Sequence, residues 1–275
     1  MCGARRLIVG ERTLVMGILN VTPDSFSDGG RFFDADRAIA HGEQLAAEGA
    51  ELIDIGGEST RPGAARVSAR DECARVLPVI RALARRVRVP LSIDTSKARV
   101  AEAALDAGAS LVNDVTALRG DRRMAKVVAR ARVPAILMHM RGTPRSMQRR
   151  TRYRDVTAEV IGALRLSLRR AEEAGIAPEQ LLVDPGLGFA KTAEQTLVLL
   201  RDLPALRVLG RPIVVGPSRK SFIGATLDLP VDERTWGTAA CVALAIVGGA
   251  HIVRVHDVRA MAQVARMADA ILNTT

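Results

Sequence analysis

Aromatic residues and cysteines are scarce in this sequence of 275 residues. Aromatic residues make up only 3% of the chain, so it lacks the stacking platforms that nucleic-acid binders use. The three cysteines, Cys2, Cys73 and Cys241, are far apart and form neither a disulfide framework nor a zinc-binding pattern, which favours a reducing cytoplasm. The N-terminus lacks the apolar core of a signal peptide, and the longest apolar run, residues 239–250, is too short to span a bilayer. We therefore expect a soluble cytoplasmic protein that binds neither a membrane nor nucleic acid.

Lysine is also rare, although the chain is strongly basic. The formal net charge of +10 predicts a positive field that attracts anionic small molecules. Of the 40 basic residues, only Lys97, Lys126, Lys191 and Lys220 are lysine, so arginine is the default cation of this chain. A compact ammonium cannot be exchanged for a planar guanidinium where a pocket needs a single point donor. Lys220 is the lysine that best fits a binding role.

Eight short apolar runs alternate with helical patterns, and polar residues follow each run. The sixth run stops at Asp184, and the Pro-Gly after it can continue neither a strand nor a helix. This order predicts a single-domain α/β fold, a (β/α)8 barrel over residues 14–275 after a short N-terminal segment, residues 1–13. A doubly wound open sheet is the alternative, but its glycine-rich nucleotide-binding turn is absent. The predicted strands are 14–19, 51–55, 90–93, 110–112, 134–138, 181–184, 213–215 and 252–255. The predicted helices are 36–48, 69–86, 96–107, 121–131, 155–174, 193–200, 238–247 and a last one through 267.

Polar side chains at four of these strand ends could form one pocket, because active sites of such barrels lie at the C-terminal ends of the strands. Asp94, Asn113 and Asp184 suit the N–H edges of a flat heterocycle such as guanine or pterin, and Lys220 could donate to a ring carbonyl or nitrogen. Each residue alone would more often be a capping or rim hydrogen-bond partner, but together they favour a pocket. A glycosidase pair of Asp94 and Asp184 is disfavoured, since rim glutamates and sugar-stacking aromatics are scarce.

A second group of rim residues is cationic and lies where barrels often bind phosphate, after the seventh and eighth strands. Arg254 and His256 are two residues apart, so both can point to the same side of their strand. Salt bridges to Asp257 or Glu58 are the alternative interpretation. Asn20 offers one oxygen ligand to a Mg²⁺ ion that also binds phosphate oxygens, although a single amide is a weak metal signal. The cationic residues are Arg61, Arg219, Lys220, Arg254 and His256.

Six segments resemble, in order, the sequence motifs of dihydropteroate synthases, and the resemblance runs from about residue 14 to the last helix. It implies a homodimeric (β/α)8 barrel that joins 4-aminobenzoate to (7,8-dihydropterin-6-yl)methyl diphosphate and releases diphosphate in folate synthesis. It also implies inhibition by sulfonamides, which mimic 4-aminobenzoate. The segments are 16–30 (MGILNVTPDSFSDGG), 56–63 (GGESTRPG), 92–95 (SIDT), 184–189 (DPGLGF), 218–221 (SRKS) and 254–257 (RVHD).

The resemblance implies roles for individual residues. Catalytic roles fall on Asp94, Lys220, Arg254 and His256. The pterin diphosphate would be bound by Thr60, Asp94, Asn113, Asp184, Lys220, Arg254 and His256. The 4-aminobenzoate or sulfonamide would be bound by Phe26, Thr60, Arg61, Pro62, Phe189 and Ser221, and Mg²⁺ by Asn20.

The chain departs from the family pattern at two places. Pro217 precedes the Ser-Arg-Lys segment, and Thr116-Ala117-Leu118 stands where Ser-Gly-Gly is often found.

Two functional alternatives remain. A pterin-binding methyltransferase would share Asp94, Asn113 and Asp184 but would not need the cationic group. A catalytically silent pterin-binding paralogue is the other.

Overall fold

A computed structural model describes residues 8–22, 31–60 and 63–274. Eight strands in this part form one parallel sheet in the order β6-β5-β4-β3-β2-β1-β8-β7. A bridge between Val183 and Ile213 joins β6 to the residue before β7, so the sheet curls into a barrel. The predicted (β/α)8 fold is confirmed. The strands are β1 Leu14–Asn20, β2 Leu52–Gly56, β3 Leu91–Asp94, β4 Leu111–Asp114, β5 Ala135–Met138, β6 Leu181–Asp184, β7 Val214–Val215 and β8 Ile252–Val255.

Nine α-helices accompany these strands in the described part of the chain. They cover the outside of the barrel, so the strand residues are almost all buried on both faces. The helices are α1 Arg31–Ala47, α2 Ala69–Arg86, α3 Ala98–Asp106, α4 Met124–Ala131, α5 Val156–Glu173, α6 Ala193–Arg201, α7 Ser221–Leu227, α8 Thr235–Val247 and α9 Val258–Leu272. None of the described helices combines the length and the apolarity needed to cross a bilayer.

The lower part of the barrel interior is an apolar layer, to which every strand but β3 contributes. Its members pack against one another as a separate core cluster inside the barrel, distinct from the larger core between the strands and the helices. The polar residues of β2, β4, β6 and β8 lie two residues further along their strands and therefore point to the same side, above this layer. The layer therefore forms the floor of the site. Its residues are Leu14, Met16, Leu52, Leu111, Ile136, Leu182, Val214 and Ile252.

Helix α7 was missed by the sequence patterns, which predict no helix between 193–200 and 238–247. It has only seven residues, contains Gly224, and lacks a side-chain cap at its start. Asp228 ends it in the left-handed conformation, with φ of 53°. A helix this short depends on packing for its stability, and the burial of Phe222 and Ile223 supplies that packing here.

Candidate active site

The strand register places Asp94 and Asn113 side by side at the mouth of the barrel, and it places Asp184 two residues beyond the β6 residue that aligns with Asn113. Asp94 is the register partner of Gly56 on one side and of Asn113 on the other. Asp184 is the register partner of Met138. Because side chains alternate along a strand, residues in register on neighbouring strands point to the same face. Asp94, Asn113 and Asp184 are all buried, at the C-terminal mouth of the barrel.

Arg254 joins two carboxylates across the inside of the mouth. Its Nε atom donates to Oδ2 of Asp54 at 2.6 Å, and its Nη2 atom donates to Oδ2 of Asp94 at 2.9 Å. The same Oδ2 atom of Asp54 accepts a hydrogen bond from Nδ2 of Asn113 at 2.8 Å. These four side chains form a continuous network, which we call the Arg254 network. It fixes both the guanidinium of Arg254 and the amide of Asn113.

Asp54 is the member of the Arg254 network that the sequence patterns missed. It lies in the middle of β2, between apolar neighbours, and its side chain is fully buried. A buried carboxylate is costly unless it is paired and hydrogen-bonded. A lone Asp inside an otherwise apolar strand therefore predicts a buried cation on another strand. It does not identify which residue supplies that cation.

Burial and mutual interaction shift the pKa values within the Arg254 network. Burial, followed by the neighbouring Asp54 carboxylate, raises the pKa of Asp94 to about 8, while Arg254 opposes this rise. Burial alone would lower the pKa of Arg254, but Asp54 and Asp94 outweigh it, and the pKa of Arg254 rises. At neutral pH the network therefore holds a permanent guanidinium and an Asp94 carboxyl that can donate a proton as well as accept a hydrogen bond.

Asp184 and Lys220 form the opposite side of the mouth. Oδ1 of Asp184 accepts from the backbone N–H of Gly186 at 2.6 Å, and burial raises the pKa of Asp184 while Lys220 opposes the rise. Nζ of Lys220 donates to the carbonyl oxygen of Leu187 at 2.6 Å and lies 4.7 Å from the ring centroid of Phe189. Burial lowers the pKa of Lys220 to about 8. The ammonium is therefore held close to Phe189, and the charge of Asp184 partly offsets the effect of burial on its pKa.

The predicted cationic group does not form one cluster, because Arg254 lies among the carboxylates of its network. The guanidinium of Arg219 is occupied by an ion pair with Asp257, with Nε 3.1 Å from Oδ2. His256 lies close to Ser218, with 2.9 Å between Nδ1 and the Ser218 Oγ atom. Arg254 therefore links the predicted acidic and cationic groups instead of belonging to the cationic group alone. The physical reason is that buried carboxylates need a cation within hydrogen-bonding distance.

The remaining predicted residues lie around this mouth or outside the described residues. Thr60 is half-buried in the segment after β2, and Asn20 is half-buried at the end of β1, in register with Gly56. Ser221 is exposed at the first position of α7, directly after Lys220. Phe26, Arg61 and Pro62 lie outside the described residues.

The segment that carries Thr60 is anchored by a half-buried lysine, Lys97. Nζ of Lys97 donates to Glu58 at 2.6 Å and to the fully buried Glu72 at 2.5 Å. The other oxygen of Glu58 accepts from the backbone N–H of Val67 at 2.8 Å. The residues on both sides of Thr60 are thus tied to α2 and to the start of α3. Glu58 pairs with Lys97, and not with Arg254 or His256 as the alternative interpretation would have it.

The departure at Thr116-Ala117-Leu118 has a structural consequence. Ala117 and Leu118 adopt positive φ values of 51° and 61°, a region that favours glycine. The buried Asp114 carboxylate holds this turn, because it accepts from the backbone and hydroxyl of Thr116 and from the backbone N–H of Leu118. These hydrogen bonds hold the turn in this conformation without glycine. The neighbouring Asn113 still donates to Asp54 in the Arg254 network.

A metal site built from protein side chains alone is absent from the described part of the chain, where no group of three His, Cys, Asp or Glu side chains converges. Mg²⁺ often takes only one or two protein ligands when substrate phosphates supply the others. The side-chain oxygen of Asn20, half-buried on the strand that pairs with β8, fits that limited role.

Comparison with known proteins identifies the family of this chain. A model of the pterin binding enzyme family matches residues 16–256. The dihydropteroate synthase of Synechocystis sp. is 52% identical over 263 residues, which cover 95% of this chain and 91% of that protein. The solved Xanthomonas albilineans dihydropteroate synthase with 4-aminobenzoic acid is 45% identical, with a TM-score of 0.94 and coverage of 100% of this chain and 98% of that one. A Yersinia pestis dihydropteroate synthase in a sulfonamide drug complex is 44% identical, with a TM-score of 0.93 over 98% of each chain. This chain belongs to the dihydropteroate synthase family of pterin-binding enzymes.

Proposed function

We propose that this chain is a transferase that condenses 4-aminobenzoate with (7,8-dihydropterin-6-yl)methyl diphosphate, giving 7,8-dihydropteroate and diphosphate for folate synthesis. The Arg254 network carries this proposal, because it places carboxylates, an amide and a permanent cation in one buried mouth. This combination suits a substrate with a polar heterocycle at one end and an anionic leaving group at the other.

The pterin ring is proposed to bind between the Arg254 network and the side of the mouth formed by Asp184 and Lys220. Asp94 and Asp184 accept from the N–H edges of the ring, and Asn113 can both donate and accept. Lys220 donates to a ring carbonyl or nitrogen with another of its three ammonium donors, while its bond to the carbonyl of Leu187 is kept. Burial of these groups strengthens each hydrogen bond relative to one in water.

The diphosphate is proposed to bind at Arg254, His256 and Thr60. Within the described part of the chain, Arg254 uses Nε and Nη2 for its carboxylate partners, which leaves Nη1 for an anionic ligand. Asn20 would supply the protein oxygen for Mg²⁺. When bound, this ion would neutralise charge that develops on the phosphate oxygens.

The reaction is proposed to begin with loss of diphosphate, followed by attack of the aminobenzoate nitrogen. As the C–O bond of the pterin methylene breaks, Arg254 and His256 stabilise the negative charge on the leaving group. In their ionised form, the carboxyl groups of Asp94 and Asp184 stabilise the positive charge left on the pterin. The arylamine is a weak nucleophile, so its positioning in a water-excluding pocket contributes more than a strong base would.

The 4-aminobenzoate is proposed to lie beside the exposed Ser221 and the half-buried Phe189, whose ring is already next to Lys220. Thr60 would border this pocket from the segment after β2, and Phe26, Arg61 and Pro62 would complete it. A sulfonamide would occupy the same place, as the Yersinia pestis relative in its drug complex suggests. The ring packing against Phe189 supplies apolar burial, and Ser221 supplies a polar contact for the acidic end.

A homodimer is proposed, and the surface that supports it is an apolar face on α8 and α9. Trp236, Leu244 and Val247 lie along one side of α8 and are 85%, 61% and 56% exposed. Met267 and Ile271 are also exposed on α9, which packs against α8. Large exposed apolar side chains on neighbouring helices are typical of association sites.

Sedimentation measures this association directly. Leu244→Glu should shift the protein from dimer to monomer, whereas Leu166→Glu, a control on exposed α5 surface, should leave it dimeric. A wild-type protein that sediments as a monomer at micromolar concentration would contradict the dimer.

The assay that tests the function measures diphosphate release with both substrates, together with formation of 7,8-dihydropteroate. A dihydropteroate synthase requires both substrates and forms the two products in equal amounts. A pterin-binding methyltransferase would release no diphosphate, and a silent paralogue would bind the pterin without turnover.

A further inference from the structure

The loop between β6 and α6, residues 185–192, follows a constrained backbone path at the mouth of the barrel. We call it loop 6. Gly186, Gly188 and Ala190 all have positive φ values, between 53° and 76°. A side chain at Gly186 would collide with the carbonyl oxygen of His139, so the loop packs directly against the end of β5. This close approach leaves little freedom for the loop to shift without losing its contacts.

Four consecutive carbonyl groups of loop 6 accept hydrogen bonds from side chains. The carbonyls of residues 186 and 189 both accept from Nζ of Lys191, each at 2.9 Å. Between them, the carbonyl of residue 187 accepts from Lys220 at 2.6 Å and that of residue 188 accepts from Gln148 at 3.2 Å. Lys191 thus holds the two ends of the turn, and the carbonyl that Lys220 contacts lies between those ends.

Lys191 itself is buried, with only 3% of its surface exposed. Its third contact is with Nδ1 of His139, at 3.0 Å. An ammonium has three donors, and three partners surround this one. Its hydrogen-bonding capacity is therefore directed entirely at loop 6 and at the end of β5, with no donor left for a substrate.

These contacts can be kept in either protonation state of the lysine. Burial lowers the pKa of Lys191 to about 7 and that of His139 to about 2, so His139 is neutral. A charged Lys191 donates to all three partners, with the His139 proton on Nε2. A neutral Lys191 donates to the two carbonyls and accepts from Nδ1–H. The contacts therefore persist over the physiological pH range, as a fixed structural support requires.

We propose that Lys191 is a positioning residue for the synthase reaction. Lys191 ties both ends of the turn in loop 6 to His139. It thereby holds the carbonyl of Leu187 within hydrogen-bonding distance of Nζ of Lys220. It also holds the ring of Phe189 beside the same ammonium. This inference rests on the proposed roles of Lys220 in pterin binding and of Phe189 in aminobenzoate binding, and it extends them to a residue that touches neither substrate.

Lys191→Met tests the proposal, because it keeps the volume of the side chain and removes all three donors. The expected result is a fall of at least about tenfold in kcat/KM for each substrate per folded enzyme. The matched control, Lys126→Met, makes the same change on the exposed surface of α4 and should leave kcat/KM unchanged. If wild-type enzyme forms no dihydropteroate, the proposed function fails; if wild type is active and Lys191→Met equals it, only the positioning role fails.

A double-mutant cycle separates positioning from a general loss of stability. If Lys191 acts through Lys220, Lys191→Met should change kcat/KM for the pterin diphosphate by less than about twofold in a Lys220→Met background. A merely structural role predicts that the two losses multiply, which would overturn the proposal. Should Lys191→Met fail to fold, Lys191→Gln keeps two donors for the two carbonyls, and the same cycle is measured with it. The expected fall in kcat/KM for Lys191→Gln is smaller than the roughly tenfold fall expected for Lys191→Met.

Discussion

Replacing Asp54 with asparagine removes the charge at the centre of the Arg254 network while preserving the shape of the side chain. Oδ2 of Asp54 accepts from Nε of Arg254 at 2.6 Å and from Nδ2 of Asn113 at 2.8 Å. Oδ1 is buried and has no hydrogen-bond partner among the described residues. An asparagine would therefore place its NH₂ group either against two donors or at a buried position without an acceptor.

The size of the effect follows from the charged contact that is lost. A hydrogen bond to a charged group contributes about 1.5–3 kcal/mol, and about 1.4 kcal/mol corresponds to a factor of ten. We therefore expect kcat/KM for the pterin diphosphate to fall about 10- to 150-fold. The pKa of Asp94 should fall as well, because the Asp54 carboxylate is one of the causes that raise it. Arg254 would then be drawn towards Asp94, away from the position that Asp54 gives it.

Steady-state kinetics with diphosphate release as the signal measures this loss, and circular dichroism verifies that the variant is folded. Asp269→Asn is the matched control. Its carboxylate accepts from the backbone and hydroxyl of Thr13, at 2.9 and 2.8 Å, at the opposite end of the barrel. That control can lower stability but should leave kcat/KM unchanged. A folded Asp54→Asn enzyme with a kcat/KM within about twofold of wild type would refute the role of Asp54 as organiser of the mouth.

Lys220→Arg should lower turnover by at least about tenfold, because a planar fork cannot replace a point donor. The pKa of Lys220 is lowered to about 8, so wild-type kcat/KM should decline as pH rises through that value, and this alkaline decline should be absent in the arginine variant. Asp184→Asn should weaken pterin binding by about 1.5–3 kcal/mol and leave 4-aminobenzoate binding nearly unchanged, which calorimetry with each ligand decides. Lys97→Met should lower the free energy of unfolding in urea by about 3–5 kcal/mol, because the buried Glu72 would lose its cation. A sulfonamide should inhibit in competition with 4-aminobenzoate, and normal turnover in a large excess of the drug would contradict the pocket drawn at Phe189 and Ser221.

The helices whose ends carry local signals were predictable from the sequence, and the others were less so. Helix α2 begins and ends where its pattern predicts, because Ser68 caps it through the N–H of Asp71 and its last turn is basic. Helix α8 begins at Thr235 instead of 238, and no side-chain cap marks its start. Helix α7 was missed for the same reason. Where a side-chain cap is absent, tertiary packing determines where the helix begins or ends. The local sequence then does not predict that boundary.

The strand ends were predictable because an apolar run that stops at a polar residue identifies the mouth of a barrel. Asp94, Asn113 and Asp184 could be assigned to one rim in this way. Their pairing could not, since it depends on register: only the alignment of β2 with β3 and of β3 with β4 brings Asp54, Asp94 and Asn113 to neighbouring positions. The sequence therefore identifies Asp94, Asn113 and Asp184 but not Asp54, and the register determines which of these side chains form hydrogen bonds.

The structure explains where this chain uses lysine instead of arginine. Lys97, Lys191 and Lys220 all place Nζ in the interior near the mouth, and Lys126 alone is exposed. Lys97 donates to two carboxylates and Lys191 to two carbonyls and an imidazole, partners that surround one atom. A tetrahedral ammonium can direct its donors to such partners, whereas a guanidinium directs its donors outward in one plane. In a chain that otherwise uses arginine, lysine is thus found where several acceptors converge on a point, and this reasoning extends from Lys220 to the two lysines that support the loops around it.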